Sequence, residues 1–169
     1  MKIRKWLLLC TLAVTLVSCE RDTPTEKERT TLTSLTRTFL LALARSYSTM
    51  DPKPLEGLAA PRFINETWNA ISTLKANDDR LQPDLIDLQI TDIKVLRHAN
   101  AYVFCTEVWD TKRFSVDGSV LKGHDPNSVL HSVIQLKKVE RQWLVLYREV
   151  EETALGPRFL VRTPTPKAP

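Results

Sequence analysis

Glu107 is the residue whose type and setting could most readily do chemistry. It stands in Ala101-Tyr102-Val103-Phe104-Cys105-Thr106-Glu107-Val108-Trp109, where strand alternation places it on the face of Val103 and Cys105. Burial penalises the charged form of a carboxylate, which is one way a general base is tuned. In that reading His131, from the next strand-like run, serves as the acid. Arg148, near the end of the last run, offers the competing reading: an ion pair reaching across strands. A carboxylate paired with arginine has a lowered pKa and makes a poor base at neutral pH. The ion pair carries more weight, and a bulge upstream leaves open which face Glu107 takes.

Other reactive types are sparse. His124 sits beside Asp125 and His98 in a turn-like Arg97-His98-Ala99-Asn100, but no His or Cys pair has metal-ligand spacing. The four glycines are isolated, so there is no phosphate-cradling loop and no Gly-x-Ser-x-Gly elbow. No metal and no cofactor are expected, and the question of an enzyme leans to no. Of the 3 cysteines, Cys105 alone would remain a thiol after the processing described below, and a small buried hydrophobe is its expected role.

The elements that must position these residues follow from period and punctuation. Thr23 is the expected N-cap of a first helix, with Pro24 at its first position and Glu26 closing a capping box. Leu32, Leu35, Phe39, Leu43, Tyr47 and Met50 give that helix one apolar stripe, to about Thr49. Asp51-Pro52 opens a short helix to about Ala59. Pro61 opens a third, ending near Ala76, with Phe63, Ile64, Trp68, Ile71 and Leu74 on one side. The period then changes to 2: Ile86, Leu88 and Ile90 alternate, then Ile93 and Val95 in the opposite phase, which signals a β-bulge. Asp117-Gly118 centres a hairpin, Gly123 to Asn127 reads as a loop, and Val129–Val139 with Trp143–Val150 form a last hairpin. Helices followed by four or five antiparallel strands make an α+β domain, with helices packed on one face of a curved, bulged sheet.

The N-terminus carries an address. Lys2, Arg4 and Lys5 precede an apolar run from Trp6 to Leu16, too short for a span of about 20 residues. Leu16-Val17-Ser18-Cys19 resembles the lipobox of bacterial lipoproteins, which implies cleavage after residue 18 and acylation of Cys19. Glu20 after that cysteine implies the outer membrane in a Gram-negative host. The formal charge of +4 is largely this segment: without the first 19 residues, 21 basic residues face 20 acidic ones. That balance gives no electrostatic footprint for nucleic acid. The expected organisation is a signal peptide over 1–18, lipidated Cys19 with a short tether to 22, one domain over 23–152, and a Pro-rich disordered tail over 153–169.

From about Thr23 to Val150 the order of elements resembles the nuclear-transport-factor-2-like superfamily, which includes ketosteroid isomerases and SnoaL-like proteins. The matching features are the long first helix, the helix started by Asp51, and the strands Ala101–Trp109 and Gln142-Trp143-Leu144-Val145-Leu146-Tyr147-Arg148. The resemblance implies a cone whose inner sheet face carries the functional groups of those members that are enzymes. Here the residues for such a pocket are Tyr47, Trp68, Glu107, Trp109, His131, Tyr147 and Arg148, with a filled aromatic core as the weightier alternative. Superfamily resemblance fixes shape better than function. The leading expectation is a lipid-anchored, non-enzymatic binding or assembly module of the cell envelope, docking a protein partner or a second copy. The alternative is a small-molecule binder or isomerase-like enzyme that uses the cone for a small apolar ligand.

Overall fold

The chain builds two helices on one face of an antiparallel sheet in which sequence neighbours are spatial neighbours. The structure, a computed structural model, describes residues 21–151. The expected signal peptide over 1–18, the lipidated Cys19 and the Pro-rich tail over 153–169 lie outside the described residues. Strand β1 is Arg21–Asp22, followed by α1 (Glu26–Thr49), a 3₁₀ turn (Lys53–Leu55) and α2 (Pro61–Ala76). Then come β2 (Arg80–Leu96), β3 (Asn100–Phe114), β4 (Leu121–Val139) and β5 (Gln142–Glu151), in the sheet order β1-β2-β3-β4-β5.

Helix α1 starts two residues later than Thr23 predicts. Thr25 is the N-cap: its hydroxyl accepts from the Glu28 amide at 3.2 Å, and the Glu28 carboxylate accepts from the Thr25 amide at 3.0 Å. The reason is upstream. Arg21 and Asp22 pair with Leu96 and Val95, so the expected tether is partly a strand and the chain stays extended longer. The helix ends at Met50, which takes a left-handed conformation (φ 57°) while its amide bonds to the Ser46 carbonyl. The second expected helix is only a 3₁₀ turn, opened by Asp51 accepting from the Lys53 amide.

Leu32, Phe39, Leu40 and Leu43 of α1 and Phe63 of α2 bury against Val95, Val103, Ile134, Leu136 and Val145 of the sheet. Phe39 and Phe63 meet edge to face at 5.3 Å between centroids. The segment before α2 covers the outer edge of β5: the Val145 amide donates to the Leu58 carbonyl and the Ala60 amide to the Val145 carbonyl. Gln142 adds a bond to the Gly57 carbonyl at 2.7 Å. An otherwise open edge is thereby capped.

The phase flip expected between Ile90 and Ile93 is present as a register shift between Ile90 and Asp92. A second shift, between Leu85 and Asp87, reverses the phase once more and turns Ile86, expected on the face of Leu88 and Ile90, out to 54% exposure. Gly123 to Asn127, expected as a loop, lies inside β4, so His124 is a strand residue that pairs with Asp110 at 2.6 Å. Its loop-like composition belongs to an irregularity: Asn127 has φ 55° and the β3–β4 register slips between Trp109 and Thr111. The tip at Asp117-Gly118 is where expected, with Ser115 and Ser119 hydroxyls donating to the Asp117 carboxylate, which is held down to about 2.

Candidate functional site

Strand β3 aims every second residue at the helices: Ala101, Val103, Cys105, Glu107 and Trp109 are all buried, and Glu107 is wholly shielded from solvent. Its carboxylate is surrounded by donors. The Arg148 guanidinium holds both oxygens, with Nη2 at 2.5 Å from Oε2 and Nε at 3.3 Å from Oε1. Trp109 Nε1 donates to Oε2 at 2.7 Å, and the Ser132 hydroxyl donates to Oε1. Cys105 Sγ lies 3.6 Å from Oε1 and 3.1 Å from the Ser132 hydroxyl. Burial pushes the Glu107 carboxyl up. The Arg148 charge and the bonds from Arg148, Ser132 and Trp109 outweigh it, leaving the group below the usual carboxylate range. Burial raises the Cys105 thiol to about 11, helped by the neighbouring Glu107 charge against the Ser132 bond.

A bulge makes the Arg148 contact available. Along β5, Trp143 and Val145 point inward, and unbroken alternation would send Tyr147 inward and Arg148 outward. The β4–β5 register instead slips: Leu136 opposes Val145 while Gln135 opposes Tyr147, leaving Leu146 as an extra residue. The phase reverses there, so Arg148 opposes Ile134 on the inner face and Tyr147 faces out, 49% exposed. Bulges re-aim side chains in this way.

The seven pocket candidates therefore divide. Glu107, Trp109, Arg148 and Tyr47 come together beneath α1, and three of them border a cavity of about 160 Å³ with Leu43, Leu81 and Leu130: Tyr47, Trp109 and Arg148. Burial raises the Tyr47 hydroxyl pKa, with the Arg148 charge opposing. Tyr147 is excluded from the inner face by the bulge. His131 is excluded by parity: Leu130 and Ser132 take the inner face of β4, and the His131 ring contacts Thr106 on the outer one at 3.1 Å. Trp68 is 46% exposed because α2 buries Phe63, Thr67, Ile71 and Leu74, a stripe that it misses by one residue. Lys75 Nζ sits 5.1 Å from its ring centroid. Sequence reasoning missed Ser132 as a partner of Glu107. Its alternation with Ile134 and Leu136, opposite Cys105, is the signal that would have found it.

A larger open groove of about 580 Å³ runs between α1 and the 3₁₀ turn, bordered by Thr38, Leu41, Arg45, Thr49, Lys53 and Leu58. Among the described residues, no cluster of three His, Cys, Asp or Glu side chains could hold a metal ion. No described helix is long and apolar enough to cross a membrane.

No family model matches this sequence, and no curated protein matches it. Solved structures do. The chain is similar to the intermembrane space region of the chloroplast protein ARC6, with a TM-score of 0.65 and 10% identity over 77% of this chain and 100% of that one. A structure from Catenulispora acidiphila aligns with a TM-score of 0.46 and 8% identity over 73% and 92% of the two chains. The likeness to the ARC6 region is one of fold: an α+β domain with its helices preceding an antiparallel sheet.

Proposed function

We propose that this chain is a lipid-anchored, non-enzymatic binding or assembly module of the bacterial cell envelope, built on a nuclear-transport-factor-2-like cone and docking a protein partner. The observation that carries the reading is the closed shell around Glu107. The acid best placed to act as a base in the interior is held by Arg148, Trp109 and Ser132 and kept ionised. Such a group holds structure together and takes up protons poorly at neutral pH. The adjoining cavity of about 160 Å³ is below the roughly 300 Å³ at which ordinary ligand pockets begin. The edge of β4 supports docking, since among the described residues β5 covers it from His131 to Val139 and no described strand pairs with Leu121 to Ser128 on that side. An extended partner segment can add to such an edge.

The anchor half of the reading rests on Cys19 and its lipobox. Cys19→Ala should move the protein from the membrane to the soluble envelope fraction; a variant still held on the membrane contradicts the anchor. The docking half is tested by photocrosslinkers placed at Lys122 and Pro126 in intact cells. One discrete adduct at these positions and none from a crosslinker at Arg62 supports a partner on the β4 edge. Equal, diffuse labelling at all three contradicts it.

A further inference from the structure

The end of the sheet from which the N-terminal chain departs is the basic end of the molecule. β1 pairs Arg21 with Leu96 and Asp22 with Val95, which fixes Arg21 beside the β2–β3 turn. The β4–β5 turn adjoins it, since the Lys138 amide donates to the Ala99 carbonyl at 2.8 Å. The start of α1 closes the group, with Glu28 lying 3.7 Å from His98. On that first helical turn Lys27 and Arg29 offset Glu26 and Glu28. The surplus comes from the strand turns, where Arg97, Lys137, Lys138 and Arg141 are all exposed and Glu140 is the one acid among them. The opposite end differs. There Lys122 pairs with Asp78 and Asp79, and Arg113 approaches Asp79, so that charge is matched within the fold.

We propose that this end is a docking surface for anionic lipid headgroups, so that Arg97, Lys137, Lys138 and Arg141 hold the domain down on the membrane that Cys19 tethers it to. The inference rests on the lipid-anchored reading and adds an orientation to it. With Arg21 paired to Leu96 of β2, Glu20 alone separates the acylated cysteine from the sheet, two steps of chain with a reach of about 7 Å. That is within the roughly 8 Å over which surface charge acts at physiological salt. The tether thus delivers these four side chains into the layer where each basic residue strengthens attachment to an anionic surface by about fivefold. The far end, at the Asp117-Gly118 tip, is turned to the aqueous side.

The test uses the mature lipidated protein in vesicles of phosphatidylcholine alone or mixed with phosphatidylglycerol. A fluorophore is placed on Glu140→Cys or, at the far end, on Val120→Cys; buried Cys105 does not compete for the label. Headgroup-borne quencher should quench the Glu140→Cys label strongly with phosphatidylglycerol. That quenching should weaken in phosphatidylcholine, in high salt, or when Lys137→Glu and Lys138→Glu are added. Equal quenching in both vesicle types overturns the proposal, because the tether alone then sets the distance. The two glutamate variants are on exposed side chains, and an unchanged circular dichroism melt confirms that they fold. Mass spectrometry tests the anchor separately. If Cys19 carries no lipid, the anchored reading fails and the same vesicles are added to the unacylated protein. Cosedimentation that requires phosphatidylglycerol then upholds the basic surface, and equal cosedimentation with both vesicle types overturns it.

Discussion

The sheet has two halves that differ in what covers them. In the half under the helices, β3 from Ala101 to Trp109 and β4 from Ser132 to Leu136 alternate cleanly between buried and partly exposed residues. In the other half β4 from Leu121 to Leu130 buries no residue fully, and Ile86, Val120, Leu121 and Val129 are each about half exposed or slightly more. Glu107 sits near the boundary. There the inner face is still shielded from water but the helices no longer fill it, and an arginine and a small cavity occupy the gap. One lesson is that a buried charge in a chain of this size need not be a reactive one. Closing its shell of donors converts it into a joint between strands β3, β4 and β5.

If that contrast is right, substitutions should separate the halves by size of effect. The largest is expected from Arg148→Met, which strands the Glu107 charge in the interior. Removing one partner of a buried pair costs about 3–5 kcal/mol, read as a shift in urea midpoint. A loss below about 1 kcal/mol would show that Glu107 reaches water. Glu107→Leu combined with Arg148→Met should recover most of that loss, because apolar replacement of both partners is often nearly neutral. Failure of the double variant to exceed the single one would mean that the guanidinium supports the fold by another route.

Acid sharpens the same comparison. The Glu107 carboxyl lies below its unfolded value, so its contribution is complete above the unfolded carboxylate pKa and is lost as pH falls through the folded one. Wild type should therefore lose stability between pH 4 and more acidic conditions by more than the double variant does, in urea melts taken across that range. Asp78→Ala should act on the uncovered half alone. It removes the bonds that Lys122 and the Val116 amide make to that carboxylate, speeding hydrogen exchange at the β3–β4 tip while the global midpoint stays nearly unchanged. The smallest effect is expected from Leu121→Ser, within about 0.5 kcal/mol of wild type.

Much of this arrangement was legible in the residues. The helical stripe from Leu32 to Met50, the phase flip between Ile90 and Ile93 and the Asp117-Gly118 tip each rest on local chemistry and stand where their pattern puts them, whereas Ile86 is turned out by a second bulge that its alternation does not show. Local pattern failed where long-range pairing overrides it. Thr23 and Thr25 both head a Thr-x-x-Glu box, and the choice between them is made by β1 holding Arg21 and Asp22 against β2. Gly123 to Asn127 has the composition of a loop, yet it pairs because β3 extends beside it. The site shows the same division. Alternation placed Glu107 with Val103 and Cys105, and opposite charge alone named Arg148 as its partner. The exclusion of Tyr147 depends on one bulged residue, Leu146, which nothing in Trp143-Leu144-Val145-Leu146-Tyr147 marks. His131 could have been placed from parity alone, because Leu130, Ile134 and Leu136 claim the other phase.

The most direct measurement is the titration of the Glu107 side-chain carboxyl, followed by carbon NMR in the folded protein with Glu107→Gln to assign the resonance. A single step below the ordinary glutamate range, moving upward in Arg148→Met, is the result expected of a carboxylate locked into a structural joint. A step near neutral pH, unaffected by Arg148→Met, would make Glu107 an available base and contradict the account at its centre.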